Sequence, residues 1–180
     1  MNWLVDTQLV ADWVLWNHAD DARSTARATS FSALRLRTDL QAFERLLSNA
    51  RVLLALSVVV EVASVVRREL GHPHRGLGER LNEPVVRSVI RFSERFNPEI
   101  VQVSEEQAGR QLAKLNQGVD ARSRFDLGDA ALVAALEGER RLLTADAPLR
   151  TRCVNMGRTD VFQFASGKIL DPRGTPIRAS

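Results

Sequence analysis

The chain alternates short apolar segments with longer stretches whose apolar residues recur at helical spacing, and this alternation constrains the fold most. The short segments predict buried strands, and they lie at residues 1–5, 51–55, 99–103, 142–144 and 160–164. Amphipathic stretches separate them, one of which opens with the capping sequence Ser104-Glu-Glu-Gln. Strands that alternate with helices predict an α/β fold with a central, mostly parallel sheet and helices on both faces.

A single domain is predicted, because a chain of 180 residues has an ordinary domain length and buries roughly 70% of its unfolded surface. We predict that the domain covers residues 1–164. Residues 165–180 contain Pro172, Gly174 and Pro176, and we predict a surface tail there. Two polar segments interrupt the pattern: residues 17–37, which we interpret as an insertion, and residues 72–81, a turn-rich link.

The composition favours a cytoplasmic protein. The 25 basic and 22 acidic residues give a net charge of +3, which is weak evidence for an anionic partner. The single cysteine, Cys153, cannot form an internal disulfide, and we interpret it as a small buried side chain. The chain start lacks a signal-peptide pattern, and no apolar run reaches the length of a membrane span.

Four acidic residues occupy positions that a parallel sheet brings together. Asp6 and Asp146 each follow a predicted strand. Glu61 lies one turn inside the helix after the second strand, and Asp129 lies at the start of the helix before the fourth. Because ligands of open α/β sheets bind beyond the carboxyl ends of the strands, we expect all four carboxylates at one crevice.

Such a group of carboxylates indicates a site for a divalent cation. Clustered carboxylates repel one another unless a cation compensates their charge, and oxygen-only ligands suit Mg²⁺ or Mn²⁺. His72 and His74 have no third ligand at metal spacing, so we interpret them as loop residues and disfavour zinc. A divalent ion held by carboxylates activates water and stabilises the leaving oxygen in phosphodiester hydrolysis.

Each acid also has a local structural explanation. Asp6 is placed to cap the first helix, and Glu61 is placed to face solvent. Asp129 suits the first turn of a helix, and Asp146 suits a turn. Asp126 is the strongest candidate for a helix cap. No single position decides between these explanations and a shared site, but the joint placement favours the shared site.

Four segments around these acids carry a family resemblance, and they occur in this order: Leu4-Val-Asp-Thr, Ser57 to Glu61 followed by Val-Ala, Asp129-Ala-Ala-Leu-Val-Ala-Ala, and Leu143-Thr-Ala-Asp. They resemble the ordered acidic motifs of PIN-domain ribonucleases, and in particular of VapC-type toxins of type II toxin–antitoxin pairs. The resemblance extends over residues 1–164, and its last two segments are the most specific.

The resemblance implies a PIN-like three-layer fold and a ribonuclease that depends on Mg²⁺ or Mn²⁺. Carried over position by position, it implies that the metal ligands and catalytic residues are Asp6, Glu61, Asp129 and Asp146. It further implies that the hydroxyls of Thr7 and Thr144 support these acids. The implied partners are RNA as substrate and an antitoxin protein, and a homodimer is a further expectation.

Two departures from the family pattern are visible. Gln8 stands where the family usually has Asn or Ser, and the interval from Asp6 to Glu61 is long, which points to the insertion at residues 17–37. A nuclease of RNA processing without an antitoxin is therefore an alternative, as is a non-catalytic module that binds RNA or protein. A phosphatase is disfavoured, because Gln8 breaks the Asp-x-Asp pair which that chemistry requires.

Basic residues flank the predicted site and are candidates for phosphate contacts or for ordinary surface charge; they are Arg23, Arg27, Arg35, Arg37, Arg122 and Arg124. Aromatic residues for base stacking are few. We interpret Trp13 and Trp16, both in the first predicted helix, as core residues or as contacts to a homodimer partner or an antitoxin helix.

Overall fold

The computed structural model describes residues 1–17, 34, 36–69 and 90–177. Within these ranges the strands form one mixed sheet in the order β3-β2-β1-β4-β5-β6-β7. The first five strands pair in parallel, and the last two join antiparallel. The strands are β1 (Asn2–Val5), β2 (Arg51–Ala55), β3 (Glu99–Val101), β4 (Arg140–Thr144), β5 (Val161–Ala165), β6 (Lys168–Leu170) and β7 (Pro176–Ile177).

Helices connect the parallel strands, as the alternating pattern predicts, and the α/β class is confirmed. The helices are α1 (Thr7–Asn17), α2 (Arg37–Ser48), α3 (Leu56–Glu69), α4 (described over residues 90–96), α5 (Glu105–Asn116), α6 (Leu127–Ala134) and α7 (Ala147–Asn155). A short 3₁₀ helix, Ala121–Ser123, precedes α6. Helix α1 packs on α3, and α5 packs on α6.

The centre of the sheet is covered on both faces. Consecutive side chains of a strand point to opposite faces, yet Trp3, Leu4 and Val5 are all buried. In register, Leu4 lies beside Leu53 of β2 and Leu142 of β4. The sheet therefore has the buried centre that a three-layer α/β fold requires.

The sequence of α3 is rich in β-branched residues, but the helical prediction is confirmed. Val58 and Val62, one turn apart, are both buried, so the helix presents a regular apolar face. The helix begins at Leu56, and the hydroxyl of Ser57 is buried without a hydrogen-bond partner, so Ser57 does not cap the helix. The capping box of α5 is formed as predicted between Ser104 and Gln107.

The C-terminal segment differs from the surface tail predicted over residues 165–180. Ser166 and Gly167 have φ values of 50° and 68°, which suit a two-residue hairpin turn, and β6 pairs antiparallel with β5 after it. Ile169 is buried against the core. These strands cover the edge that β5 would otherwise expose, and their shortness explains why the apolar pattern does not reveal them. Residues 178–180 lie outside the described residues.

Two tryptophans of α1 belong to the core of this chain. Trp13 stacks edge-on against Phe92 and Phe96 with ring centroids 5.3 Å and 5.4 Å away, and its indole N–H donates to Glu44 at 3.0 Å. The half-buried Trp16 donates its N–H to the carbonyl of Leu34. Most of the insertion at 17–37 and the whole link at 72–81 lie outside the described residues. Across the part of the chain that is described, no helix combines the length and apolarity needed to cross a membrane.

Candidate functional site

Asp6 and Asp146 lie at the point between β1 and β4 where the order of strand addition reverses. From β1 the chain adds β2 and then β3 on one side, whereas β4 and then β5 are added on the other side. The crevice at such a switch point, beyond the carboxyl ends of the strands, is where open α/β sheets bind ligands. Asp6 directly follows β1, and Asp146 lies two residues beyond β4.

A threonine links these two acids across the switch point. The hydroxyl of Thr144 donates to Oδ2 of Asp6 at 2.5 Å and accepts from the backbone N–H of Asp146 at 2.9 Å. Burial raises the pKa of Asp6; the hydrogen bond from Thr144 opposes this rise, and the charge of Asp146 adds to it. Asp6 is only 8% exposed, so the crevice holds a buried carboxylate beside a second carboxylate.

Asp129 enters the same crevice from the start of α6. Asp126 caps this helix: its Oδ1 accepts from the N–H of Asp129 at 3.0 Å, and Oδ2 of Asp129 accepts from the N–H of Asp126 at 3.2 Å. Burial and the charges of Asp126, Asp6 and Asp146 raise the pKa of Asp129 to about 7. The capping role predicted for Asp126 is thus confirmed, and Asp129 experiences the charges of both strand-end acids.

Glu61 contacts the chain neighbours of Asp6 and Asp129. The hydroxyl of Thr7 donates to Oε2 of Glu61 at 2.9 Å. The Glu61 carboxylate also occupies the space that a side chain at position 128 would enter. Because Thr7 follows Asp6 and Gly128 precedes Asp129, Glu61 bridges the two segments that carry these acids.

The structure therefore brings Asp6, Asp129 and Asp146 into electrostatic contact at one crevice, and Glu61 contacts the chain neighbours of two of them. Asp146 also has a local role, which is a helix cap and not the predicted turn: its Oδ1 accepts a hydrogen bond from the N–H of Leu149 in α7 at 2.9 Å. Within the described residues, however, no group of three or more His, Cys, Asp or Glu side chains is spaced to hold a metal ion.

The donor chemistry of the crevice fits Mg²⁺ or Mn²⁺. Its ligands would be carboxylate oxygens only, which these hard cations prefer. A divalent cation would also offset the mutual repulsion that helps raise the pKa values of Asp6 and Asp129. Cys153 is buried with its pKa raised by burial to about 11, as expected of a structural thiol. His72 and His74 lie outside the described residues.

Two residues that position the site are missed by the sequence reasoning. The side chain of Asn116 donates to the carbonyl of Phe125 at 3.0 Å and accepts from its N–H at 2.9 Å, which ties the end of α5 to the residue before Asp126. Gly128 provides the space for Glu61. Both contacts join elements that only tertiary packing brings together, and neither residue carries a local signal of this role.

Three of the six flanking basic residues belong to the part of the chain that the structure describes. Arg122 and Arg124 are exposed in the segment that leads into α6, and Arg37 is exposed at the start of α2. Arg23, Arg27 and Arg35 lie outside the described residues. The exposed guanidinium groups beside α6 are available to an anionic ligand of the crevice.

Comparisons with models of known protein families, with curated proteins and with solved structures found no match to this chain. The resemblance to PIN-domain ribonucleases therefore stays a prediction from the motifs.

Proposed function

We propose that this chain is a PIN-like ribonuclease that hydrolyses RNA phosphodiester bonds with Mg²⁺ or Mn²⁺ held by Asp6, Glu61, Asp129 and Asp146. One observation carries the proposal: carboxylates from distant parts of the chain meet at the switch point, where Asp146 raises the pKa of Asp6 and both raise that of Asp129. Buried carboxylates that repel one another lower the stability of the fold, and a bound cation would offset this repulsion. The cluster is therefore easier to explain as a cation site than as a purely structural feature.

The residues of the chain would orient the ligands and the substrate. A bound divalent ion would supply an activated water and stabilise the leaving oxygen. Thr144 donates to Oδ2 of Asp6, and Thr7 donates to Oε2 of Glu61, so the two hydroxyls would orient these carboxylates as ligands of a cation. Arg122 and Arg124 would contact backbone phosphates of the RNA.

The role we propose is that of a toxin whose site an antitoxin covers. Leu56 and Val60, one turn apart on α3, are 49% and 68% exposed, and Leu127, beside Gly128, is 55% exposed. Exposed apolar side chains next to a polar site favour a protein partner. A nuclease of RNA processing without an antitoxin is the alternative role. Co-purification with the product of a neighbouring small reading frame would favour the toxin role over the processing role. The predicted homodimer is a separate question, which the molecular mass of the purified protein in solution answers.

The enzymatic proposal is tested by RNA cleavage with Mg²⁺ or Mn²⁺, with and without a chelator. We expect chelation to abolish cleavage and Asp6→Asn or Asp129→Asn to reduce it by at least about 100-fold, because each removes a charged ligand. Glu137→Gln, an exposed acid beyond the opposite end of α6, is the matched control and should cleave like the wild type. Cleavage that persists in both site variants would refute the site.

A non-catalytic binding module is the second candidate, and one observation favours it: the described acids are not spaced to hold a metal ion. Calorimetric titration of the wild type with Mn²⁺ decides between the two. Saturable binding that Asp129→Asn abolishes favours the nuclease, whereas RNA binding without Mn²⁺ binding favours the module.

A further inference from the structure

A side chain at position 128 would meet the carboxylate of Glu61, which would have to shift. Gly128 lies in the first turn of α6, and a β-carbon built there would lie 3.1 Å from both the carboxyl carbon and Oε2 of Glu61, and closer still to Oε1. Carbon atoms in contact normally stay about 3.5–4.0 Å apart. The need for glycine comes from this neighbour, since the backbone at position 128 is not left-handed.

Glu61 is also held by a hydrogen bond. Its Oε2 accepts the hydrogen bond from Thr7 at the start of α1, and α1 packs along α3, which carries Glu61. Moving the carboxylate away from Gly128 would break or distort this bond. The Glu61 carboxylate therefore contacts both Thr7, the neighbour of Asp6, and Gly128, the neighbour of Asp129, and a shift away from Gly128 is opposed by the bond to Thr7.

We propose that Gly128 is a positioning residue: its missing side chain sets how far Glu61 reaches into the acidic crevice and thereby sets the affinity of the crevice for a divalent cation. The inference deepens the proposed function and rests on it for its metal-binding part. Gly128 itself would contact neither the cation nor the substrate.

The chain offers a matched control glycine. Gly109 lies inside α5, where an added β-carbon would meet nothing within 4 Å. Glycine-to-alanine substitution within a helix stabilises a protein when the site has room, because alanine loses less backbone entropy on folding. Gly109→Ala and Gly128→Ala therefore share the helical gain and differ in the contact with Glu61.

The contact is tested by thermal unfolding of the full chain without metal. We expect Gly109→Ala to raise the midpoint and Gly128→Ala to lower it. In a Glu61→Ala background, where the carboxylate is gone, Gly128→Ala should raise the midpoint as Gly109→Ala does. A rise for Gly128→Ala while Glu61 is present, or a fall that persists without Glu61, would overturn the proposed contact.

The consequence for the site is tested by calorimetric titration with Mn²⁺. We expect Gly128→Ala to weaken binding about 10- to 100-fold, as substitutions that displace a metal ligand do, while Gly109→Ala leaves it unchanged. In Glu61→Asp, whose carboxylate is one methylene shorter, adding Gly128→Ala should weaken binding no further. Wild-type affinity in Gly128→Ala overturns the inference alone. A wild type that binds no Mn²⁺ and cleaves no RNA overturns the proposed function and, with it, the metal part of the inference.

Discussion

At the scale of single residues, the raised pKa of Asp129 couples stability to pH. Burial and neighbouring carboxylates raise this pKa from 3.8 to about 7, so the folded protein holds a proton that the unfolded chain has already released. The contribution of Asp129 to the free energy of unfolding is therefore greatest below pH 3.8 and is lost as the pH rises through about 7.

We expect the thermal midpoint of the metal-free protein to decline across this range and Asp129→Asn, which does not titrate, to lose part of the decline. Scanning calorimetry with a chelator at a series of pH values measures both proteins. If the thermal midpoints of the wild type and Asp129→Asn fell equally with pH, the raised pKa of Asp129 would not be the cause of the decline. Mn²⁺ should raise the wild-type midpoint more at pH values above 7 than below, because the ligand must be ionised to bind.

The hydrogen bonds of the Thr144 hydroxyl can be tested by a single substitution. Thr144→Val keeps the shape of the buried side chain but removes the donor to Asp6 and the acceptor for the N–H of Asp146. We expect a loss of about 1–3 kcal/mol in the free energy of unfolding and weaker Mn²⁺ binding, because the pKa of Asp6 rises further. Denaturant unfolding provides the measurement. Thr151→Val, at an exposed hydroxyl, is the control and should change stability by less than about 0.5 kcal/mol.

The residues of the site differ in how far the sequence can predict them. Asp6 and Asp146 follow apolar strands and Asp129 follows a capping acid, so their meeting follows from the topology of a parallel sheet. The contact between Glu61 and Gly128 depends on how α3 packs against α6, which local patterns do not encode. The paired bonds of Asn116 depend on the packing of α5 in the same way.

At the scale of secondary-structure elements, Asn116 anchors the segment that leads into α6. Asn116→Ala removes both bonds to the backbone of Phe125, so the segment with Asp126 and Asp129 loses its anchor to α5. We expect a loss of about 1–3 kcal/mol in unfolding free energy together with weaker Mn²⁺ binding. Asn155 is the matched control, since it also ends a helix but is exposed. Equal effects of Asn116→Ala and Asn155→Ala would argue against the anchoring role.

The elements predicted with least error are those with a strong local signal. The capping box of α5 and the cap of α6 are formed by the predicted residues. By contrast, β6 and β7 comprise three and two residues, too few for a readable alternation, and Pro176 argues against a strand. Such strands form because β5 offers an edge, which is a property of the assembled sheet.

At the scale of the whole molecule, the C-terminal hairpin protects the sheet. Ending the chain after Ala165 would remove β6 and β7 and leave the apolar strand β5 with an unpaired edge. We expect a lower thermal midpoint and concentration-dependent self-association, detected by calorimetry and light scattering. Lys168→Ala, which alters an exposed side chain of β6, should do neither. A truncated chain that stays monomeric with an unchanged midpoint would show that these strands are dispensable.

The hydrogen bond between Thr144 and Asp6 also has a consequence for how the protein is made. It joins residues 138 positions apart, so β1 leaves the ribosome well before its partner β4 has been synthesised. Nascent chains that stop before β4 therefore carry Asp6 without its hydroxyl partner and without Asp146. If the crevice cuts RNA, the growing polypeptide therefore gains this activity only after β4 and Asp146 have been translated.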